Sequence, residues 1–379
     1  MASTAGPRWW TRLPVLAGVR PVDRRRVPAE LLAGLTLAAV AIPEVMGYSR
    51  IAGMPVITGL YTILLPLAAF AVIGSSRHLS VGADSATAAV MAAGLGGLAL
   101  AGTRHYVALA GALALMAAVF LVVARIIRIG FLADFLSRTV LIGFLTGVGI
   151  EVAIGQVGGM LGLSSASLVR LDGHRVSGTV GRLAATVDHL AQVSWATVAV
   201  SAATLAVVVG SRRINRAVPG ALVAVGGTIL VSWHWDLGAH GVALVGPVPS
   251  GLPAVGLPDV GWADLVKLVG TAGSLFVLIL AQSAATSRAF AARYEEDVDE
   301  NRDLLGLGLA NVMAGVTGTF AVNGSPTRTQ LADSAGGRTQ LAQLSTVVVV
   351  GLVLVLLTHP LEYLPVAGRT VFRLTWENS

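Results

Sequence analysis

The chain has 379 residues, of which 55% are hydrophobic and 12% charged, with 45 Gly and no Cys. A charged share about half that of ordinary soluble domains excludes a water-soluble globule, and the absence of thiols excludes disulfide frameworks, thiolate metal sites and cysteine nucleophiles. The formal charge of +6 comes from 25 Arg and a single Lys, Lys267, scattered in short clusters between apolar runs; such an excess reports membrane topology, and no basic face with interleaved aromatics points to nucleic acid.

Residues 1–28 hold Arg8, Arg12, Arg20, Arg24, Arg25 and Arg26 with four prolines. They read as a cytoplasmic lead-in, because the apolar run that follows is long and lacks a small-residue cleavage site. Apolar stretches then predict helices over 31–48, 57–74, 84–101, 106–127, 139–162, 194–211, 217–235, 266–290, 303–321, 326–340 and 342–358. That makes about eleven crossings at roughly 20 residues each. With the amino terminus inside, loops expected on the same side carry Arg77, Arg125, Arg128, Arg212, Arg213, Arg216, Arg288 and Arg293, which agrees with the positive-inside bias. The Gly/Ser-rich segment 164–193 and the Gly/Pro-rich segment 246–259 are expected as outward loops. The whole is an all-α polytopic protein of a membrane, expected to be a bacterial inner membrane.

Two stretches resemble each other. PEVMGYSRIAG around Glu44 matches AQSAATSRAFA around Gln282, so that Glu44 aligns with Gln282 and Ser49-Arg50 with Ser287-Arg288. Further on, GADSATAAV from Gly82 and GSPTRTQLA from Gly324 each place a small polar cluster before an apolar helix. Inverted-repeat transporters give this correspondence, with broken helices meeting near the bilayer midplane.

Ionisable groups inside apolar runs are costly and default to functional candidates. Glu44 follows Pro43, whose missing donor frees a carbonyl and predicts a local unwinding or kink. Asp84 stands where an N-cap belongs, ahead of Ser85, Ala86 and Thr87. Gly324, Ser325, Pro326, Thr327 and Arg328 offer the same geometry in the second half, with Pro326 at the first helical turn. Two facing helix starts and one guanidinium make a site for a small anion. Arg328 is then the charge partner of the substrate or of Glu44. Glu151 is a second intramembrane acid, open between function and helix-to-helix contact. The run Glu295, Glu296, Asp297, Asp299, Glu300 reads as a solvated cytoplasmic loop, and His78 as an interface residue. No P-loop lysine, nucleophile elbow, HExxH or paired metal ligands occur, so no enzyme, cofactor or metal site is expected.

The stretch IPEVMGYSRIAGMPVITGLYTILLPLAAFAVIGSSRHLSVGADSATAAV, residues 42–90, resembles the start of the SulP sulfate permease family, whose first helix commonly reads IPQGMAYA and whose third begins near SVGPDA. Later, LAQSAATSRAFA resembles that family's eighth helix, and NRDLLGLGLANVMAGVTGTFAVNGSPTRTQLADSAGGRTQLAQL its ninth to eleventh. The resemblance covers residues 28–365. It implies a 7+7 inverted-repeat fold of fourteen segments, about eleven of them present here, with a core domain moving against a gate domain. It also implies an anion held between helices three and ten and lined by helices one and eight. Carried over by motif, the substrate would meet Tyr48, Ser85, Ala86, Gln282, Gly324, Ser325, Thr327 and Arg328, with Glu44 and Asp84 as coupling-ion residues.

Three departures bear on this. Many members carry Gln in helix one and Glu in helix eight, whereas Glu44 and Gln282 reverse the pair. A protonatable Glu44 favours anion and proton symport, with sodium on the oxygens of Glu44 and Asp84 as the alternative. Residues 366–379 diverge from the family pattern, so residues 29–365 are expected to form a transmembrane domain incomplete in its gate, and no STAS domain is expected after it. The expected function is secondary transport of sulfate, bicarbonate or a small carboxylate by a homodimer. The alternatives are a truncated membrane protein that does not transport, or a nucleobase transporter of the same fold.

Overall fold

A computed structural model describes residues 15–127, 157–163, 170–171, 174–175, 178–214, 220–240, 242–245 and 250–365, with isolated positions between them. Glu151 and residues 366–379 lie outside the described residues, as does most of the predicted helix 139–162.

The chain enters α1 (Val27–Ile51) through Pro28, where a missing backbone donor costs nothing. The helix runs unbroken past Pro43, so the local unwinding expected there does not occur. Apolar side chains on every face hold it in the interior, where neighbouring helices stabilise a proline-containing turn. The predicted helix 57–74 is two pieces, α2 (Val56–Tyr61) and α3 (Leu65–Ile73), divided just before Pro66. Strand β1 (Val81–Gly82) leads into α4 (Ser85–Leu95), and α5 (Arg104–Ile126) follows.

The segment 164–193 is more ordered than an outward loop. Strands β2 (Arg170–Leu171) and β3 (His174–Arg175) form a hairpin, and α6 (Gly178–Asp188) follows it. Val180, Leu183 and Val187 recur at helical spacing within a polar composition, which is why the composition hid the helix. Next come α7 (Trp195–Ile214) and α8 (Gly220–Trp235).

Helix α9 (Trp262–Tyr294) has 33 residues. At 1.5 Å per residue it spans about 50 Å, well beyond a hydrocarbon core of about 30 Å. Its end therefore projects past the apolar layer. Then come α10 (Glu300–Val316), β4 (Asn323–Gly324), α11 (Pro326–Ser334), α12 (Gln340–Leu356) and the short α13 (Thr358–Leu361). The predicted helix 326–340 stops at Ser334, where Gly336 takes φ +97°. Among the described residues, four spans are long and apolar enough to cross a membrane: Val27–Ile51, Val56–Ile73, Arg104–Ile126 and Trp262–Tyr294.

Close backbone approach joins neighbouring helices within and between the two halves. A Cβ on Gly34 would meet the Ala342 carbonyl at 2.5 Å, fixing α1 against α12, and one on Gly59 would run into the Val45 carbonyl, fixing α2 against α1. Small residues allow such contacts where no hydrophobic force drives helices together in lipid.

Candidate functional site

Two two-residue strands organise the centre of the molecule. β1 and β4 pair antiparallel, with Val81 opposite Gly324 and Gly82 opposite Asn323. Each strand hands the chain directly to a short helix, so α4 and α11 start from opposite ends of one short antiparallel ladder deep in the protein. The order of long helix, intervening helices, strand and half-helix occurs once from α1 to α4 and again from α9 to α11. This is the arrangement predicted from the matching of Glu44 with Gln282 and of Gly82 with Gly324.

Local chemistry sets both helix starts. Asp84 has an extended backbone, and its Oδ1 accepts from the Ala86 amide at 2.9 Å. Ser325 caps α11: its Oγ accepts from the Arg328 amide at 3.4 Å and lies 3.0 Å from Thr327 Oγ1. The remaining first-turn amides have no intrahelical acceptor. The pair is locked from behind. Ser325 N donates to the Ser80 carbonyl at 2.9 Å, Ser80 N donates to Thr329 Oγ1 at 3.0 Å, and Ser80 Oγ donates to Gln343 Oε1 at 3.0 Å.

Arg328 leaves the first turn of α11 and lies against β1. A Cβ on Gly82 would stand 2.5 Å from Nη1 and 2.9 Å from Nη2. The side chain is only 2% exposed, and Nε, Nη1 and Nη2 are all buried without a hydrogen-bond partner among the described residues. A buried guanidinium left unpaired is expensive, and a bound anion would offset that cost. No hydrogen bond joins Arg328 to Glu44, one of the two partners expected for it, among the described residues.

Glu44 and Tyr48 lie one turn apart on α1, and the Tyr48 hydroxyl donates to Glu44 Oε1 at 2.6 Å. Helix α1 packs against both α4 and α11. On α9, Gln282 Oε1 accepts from Asn323 Nδ2 at 2.6 Å, while Ser283 Oγ accepts from the Gly324 amide at 2.9 Å. Tyr48, Asp84, Gly324, Ser325 and Arg328 are buried, whereas Glu44, Ser85, Ala86, Gln282 and Thr327 are half-buried. Asn323, Ser283 and Gly82 complete this constellation and were not expected in it. The local signal for Gly82 and Asn323 is their place just before the half-helix starts, and for Ser283 its place next to Gln282.

A second polar cluster lies at one end of the bundle. His78 is 6% exposed and stacks on Tyr294 with ring centroids 4.5 Å apart. Burial pushes its imidazole down to about 4, so it stands neutral beside Glu296, with Nε2 at 3.2 Å from Oε2. Burial also pushes the Glu296 carboxyl up, against the pull of Arg77 at 3.5 Å. The acidic run is thus only partly solvated. Glu300 pairs with Arg288 at 2.5 Å, and Asp299 caps α10 by accepting from the Arg302 amide at 3.1 Å. These carboxylates are held by the same arginines that were read as topology markers. Asp333 closes the cluster, accepting from the Tyr294 hydroxyl at 2.5 Å and pairing with Arg293 and Arg338. Among the described residues no group of His, Asp and Glu could hold a metal ion.

The model of the sulfate permease family matches residues 28–368. A protein of Mycobacterium tuberculosis named as a probable sulfate transporter is 37% identical over 355 residues, covering 94% of this chain and 62% of that protein. The chloroplastic sulfate transporter 4.1 of Arabidopsis thaliana is 26% identical, covering 89% of this chain and 49% of its own length. The chain thus spans about half to three fifths of these relatives. Among solved structures, the transmembrane domain of a cyanobacterium bicarbonate transporter, BicA, superposes with a TM-score of 0.72 at 23% identity, covering 94% of this chain and 90% of that domain. The murine Slc26a9 anion transporter in its inward-facing state gives 0.74 at 21%, covering 98% of this chain and 64% of the other. The fold is that of these helical membrane transporters.

Proposed function

The chain belongs to the sulfate permease family, and from that premise we propose that it is a secondary active transporter of a small anion, coupled to protons and working by alternating access. The observation that carries this reading is Arg328, buried without a hydrogen-bond partner among the described residues and set against the ladder from which both half-helices start. A guanidinium and two positive helix ends suit a small anion, whether sulfate, bicarbonate or a small carboxylate. A neutral nucleobase would leave the charge uncompensated.

In this reading Ser85, Ala86, Gly324, Ser325 and Thr327 receive the anion with backbone amides and hydroxyls, Arg328 supplies the charge, and Tyr48 and Gln282 close the flanks. Glu44 carries the coupling proton. Ionised, it repels an incoming anion; protonated, it admits one. Asp84 orders the start of α4 and offers oxygens to sodium should that be the coupling ion. The paired half-helices, together with α1, α9 and the helices packed tightly on them, form a core that rocks as one body against a separate gate. We place the protein as a homodimer in a bacterial inner membrane with its amino terminus in the cytoplasm.

The test is uptake of labelled sulfate, bicarbonate and succinate into proteoliposomes holding the purified chain, with and without an inward proton gradient. Accumulation that requires the gradient and vanishes in Arg328→Ala is expected. A folded, inserted protein that moves none of the three would instead support a membrane protein that does not transport.

A further inference from the structure

Asn323 is wholly buried, and its Nδ2 donates to Gln282 Oε1 at 2.6 Å. Its Oδ1 is buried with no hydrogen-bond partner among the described residues. An acceptor left empty in the interior is costly, and in a site its natural explanation is a missing ligand. Its place is fixed by the ladder. Asn323 stands directly opposite Gly82, and directly opposed residues of an antiparallel pair project their side chains to the same face, about 5 Å apart. On that face the position a Gly82 side chain would take is filled by the Arg328 guanidinium. An unpaired cation and an unpaired acceptor are therefore neighbours that do not satisfy each other.

A ligand that settles both carries negative charge for the guanidinium and a hydrogen-bond donor for the carboxamide oxygen. Resting on the anion reading above, we propose that Asn323 is a specificity-determining residue: its carboxamide oxygen accepts from the hydroxyl of an oxyanion whose charge is held by Arg328. The site accordingly selects hydroxyl-bearing oxyanions, hydrogen carbonate and dihydrogen phosphate, over sulfate, a dianion with no proton to donate at neutral pH. A site built to bond a substrate hydroxyl discriminates against analogues that lack it, because its buried acceptor is then left empty.

The experiment reads ligand-induced thermal stabilisation of the detergent-purified full chain, so that it does not depend on transport. The probes are hydrogen carbonate, phosphate at pH 6.5, sulfate and nitrate, the last being a planar monoanion without a donor. Half-maximal stabilisation by hydrogen carbonate or phosphate is expected at concentrations about ten-fold below those of nitrate and sulfate. Asn323→Ala should erase that advantage, bringing the hydroxyl-bearing probes to within about two-fold of nitrate and sulfate measured on the same variant. Asn323→Ser, smaller yet polar, provides the same comparison should the alanine variant fail to fold. The two hydroxyl-bearing probes separate planar from tetrahedral selection. Equal preference for sulfate, or an equal weakening of all four probes by the substitution, would overturn the role of Asn323 while leaving the anion site standing. Selective loss of nitrate and sulfate would overturn it too, since the amide would then present its NH₂ group. No stabilisation by any probe, and no change on Arg328→Ala, would remove the anion site itself and this inference with it.

Discussion

The Arg328 guanidinium occupies the space that a side chain on Gly82 would need, with Nη1 only 2.5 Å from where that Cβ would stand. Position 82 needs glycine for this reason and not for its backbone, since it is an ordinary strand residue. Gly82→Ala should leave the fold intact, because the atoms in the way are the mobile end of a long side chain. It should nevertheless displace the guanidinium and weaken anion binding at least about ten-fold, a loss of roughly 1.4 kcal/mol. Anion-dependent melting of the variant checks this. A folded Gly82→Ala protein that binds anion as the wild type does would remove Arg328 from the site.

Glu44 is the titratable member of the hydrogen-bonded pair with Tyr48. Glu44→Gln keeps the size of the side chain and an acceptor for the tyrosine hydroxyl but holds no exchangeable charge. Wild-type uptake should rise as the external pH falls and accumulate anion against its gradient. In the variant uptake should become independent of pH and stop at equilibrium. Proteoliposome uptake between pH 5.5 and 8 decides this, and an unchanged pH profile would exclude Glu44 as the proton carrier.

His78 offers a pH dependence of stability whose sign can be worked out. Its folded value of about 4 lies below the 6.5 of an unperturbed imidazole, so the unfolded chain binds the proton more readily. Stability carried by the neutral ring is complete above pH 6.5 and is lost as pH falls toward 4, by at most about 3 kcal/mol. Glu296, whose carboxyl is pushed up, works in the opposite sense. His78→Phe isolates the histidine: it keeps the stack on Tyr294 and removes the titration. Melting temperatures at pH 7.5 and 5 should fall further in the wild type than in the variant. An equal fall in both would assign the acid sensitivity elsewhere.

How much could be read in advance follows from how local each cause is. Helix positions were legible because apolar runs must bury or meet lipid. Both half-helix starts were legible because Asp84, Ser325 and Pro326 carry capping chemistry within a few residues of the turns they make. Asn323 and Ser283 were not, since they meet only in three dimensions, the Gly324 amide reaching Ser283 across 41 residues. The same holds for Ser80 and Gln343, 263 residues apart. Of the unwinding or kink expected at Pro43, the unwinding does not occur because the proline rule is a local one, and a helix enclosed by neighbours can carry the residue unbroken. Glu296 and Glu300 misled for the converse reason, because their composition says solvent while Arg77 and Arg288 hold them in pairs.

Asp303 joins three elements through one buried carboxylate. Oδ1 accepts from the Ser75 amide at 2.6 Å, the Ser76 amide at 3.0 Å and Ser75 Oγ at 2.9 Å, while Oδ2 accepts from Ser287 Oγ at 3.0 Å. It thereby ties the start of α10 to α9 and to the segment between α3 and β1. Asp303→Ala would leave two backbone amides without their acceptor in a place water does not reach, which costs about 1–3 kcal/mol each. Asp303→Asn keeps one oxygen but turns an NH₂ toward groups that need an acceptor, so it should recover only part of the loss. Both variants should lower the yield of monodisperse protein in detergent and its melting temperature, with alanine the worse. The half-helix pair is anchored separately through Ser80, Thr329 and Gln343, so anion affinity per folded molecule should stay within about two-fold of wild type. A variant of normal stability that had lost anion binding would reverse this assignment and make Asp303 part of the site.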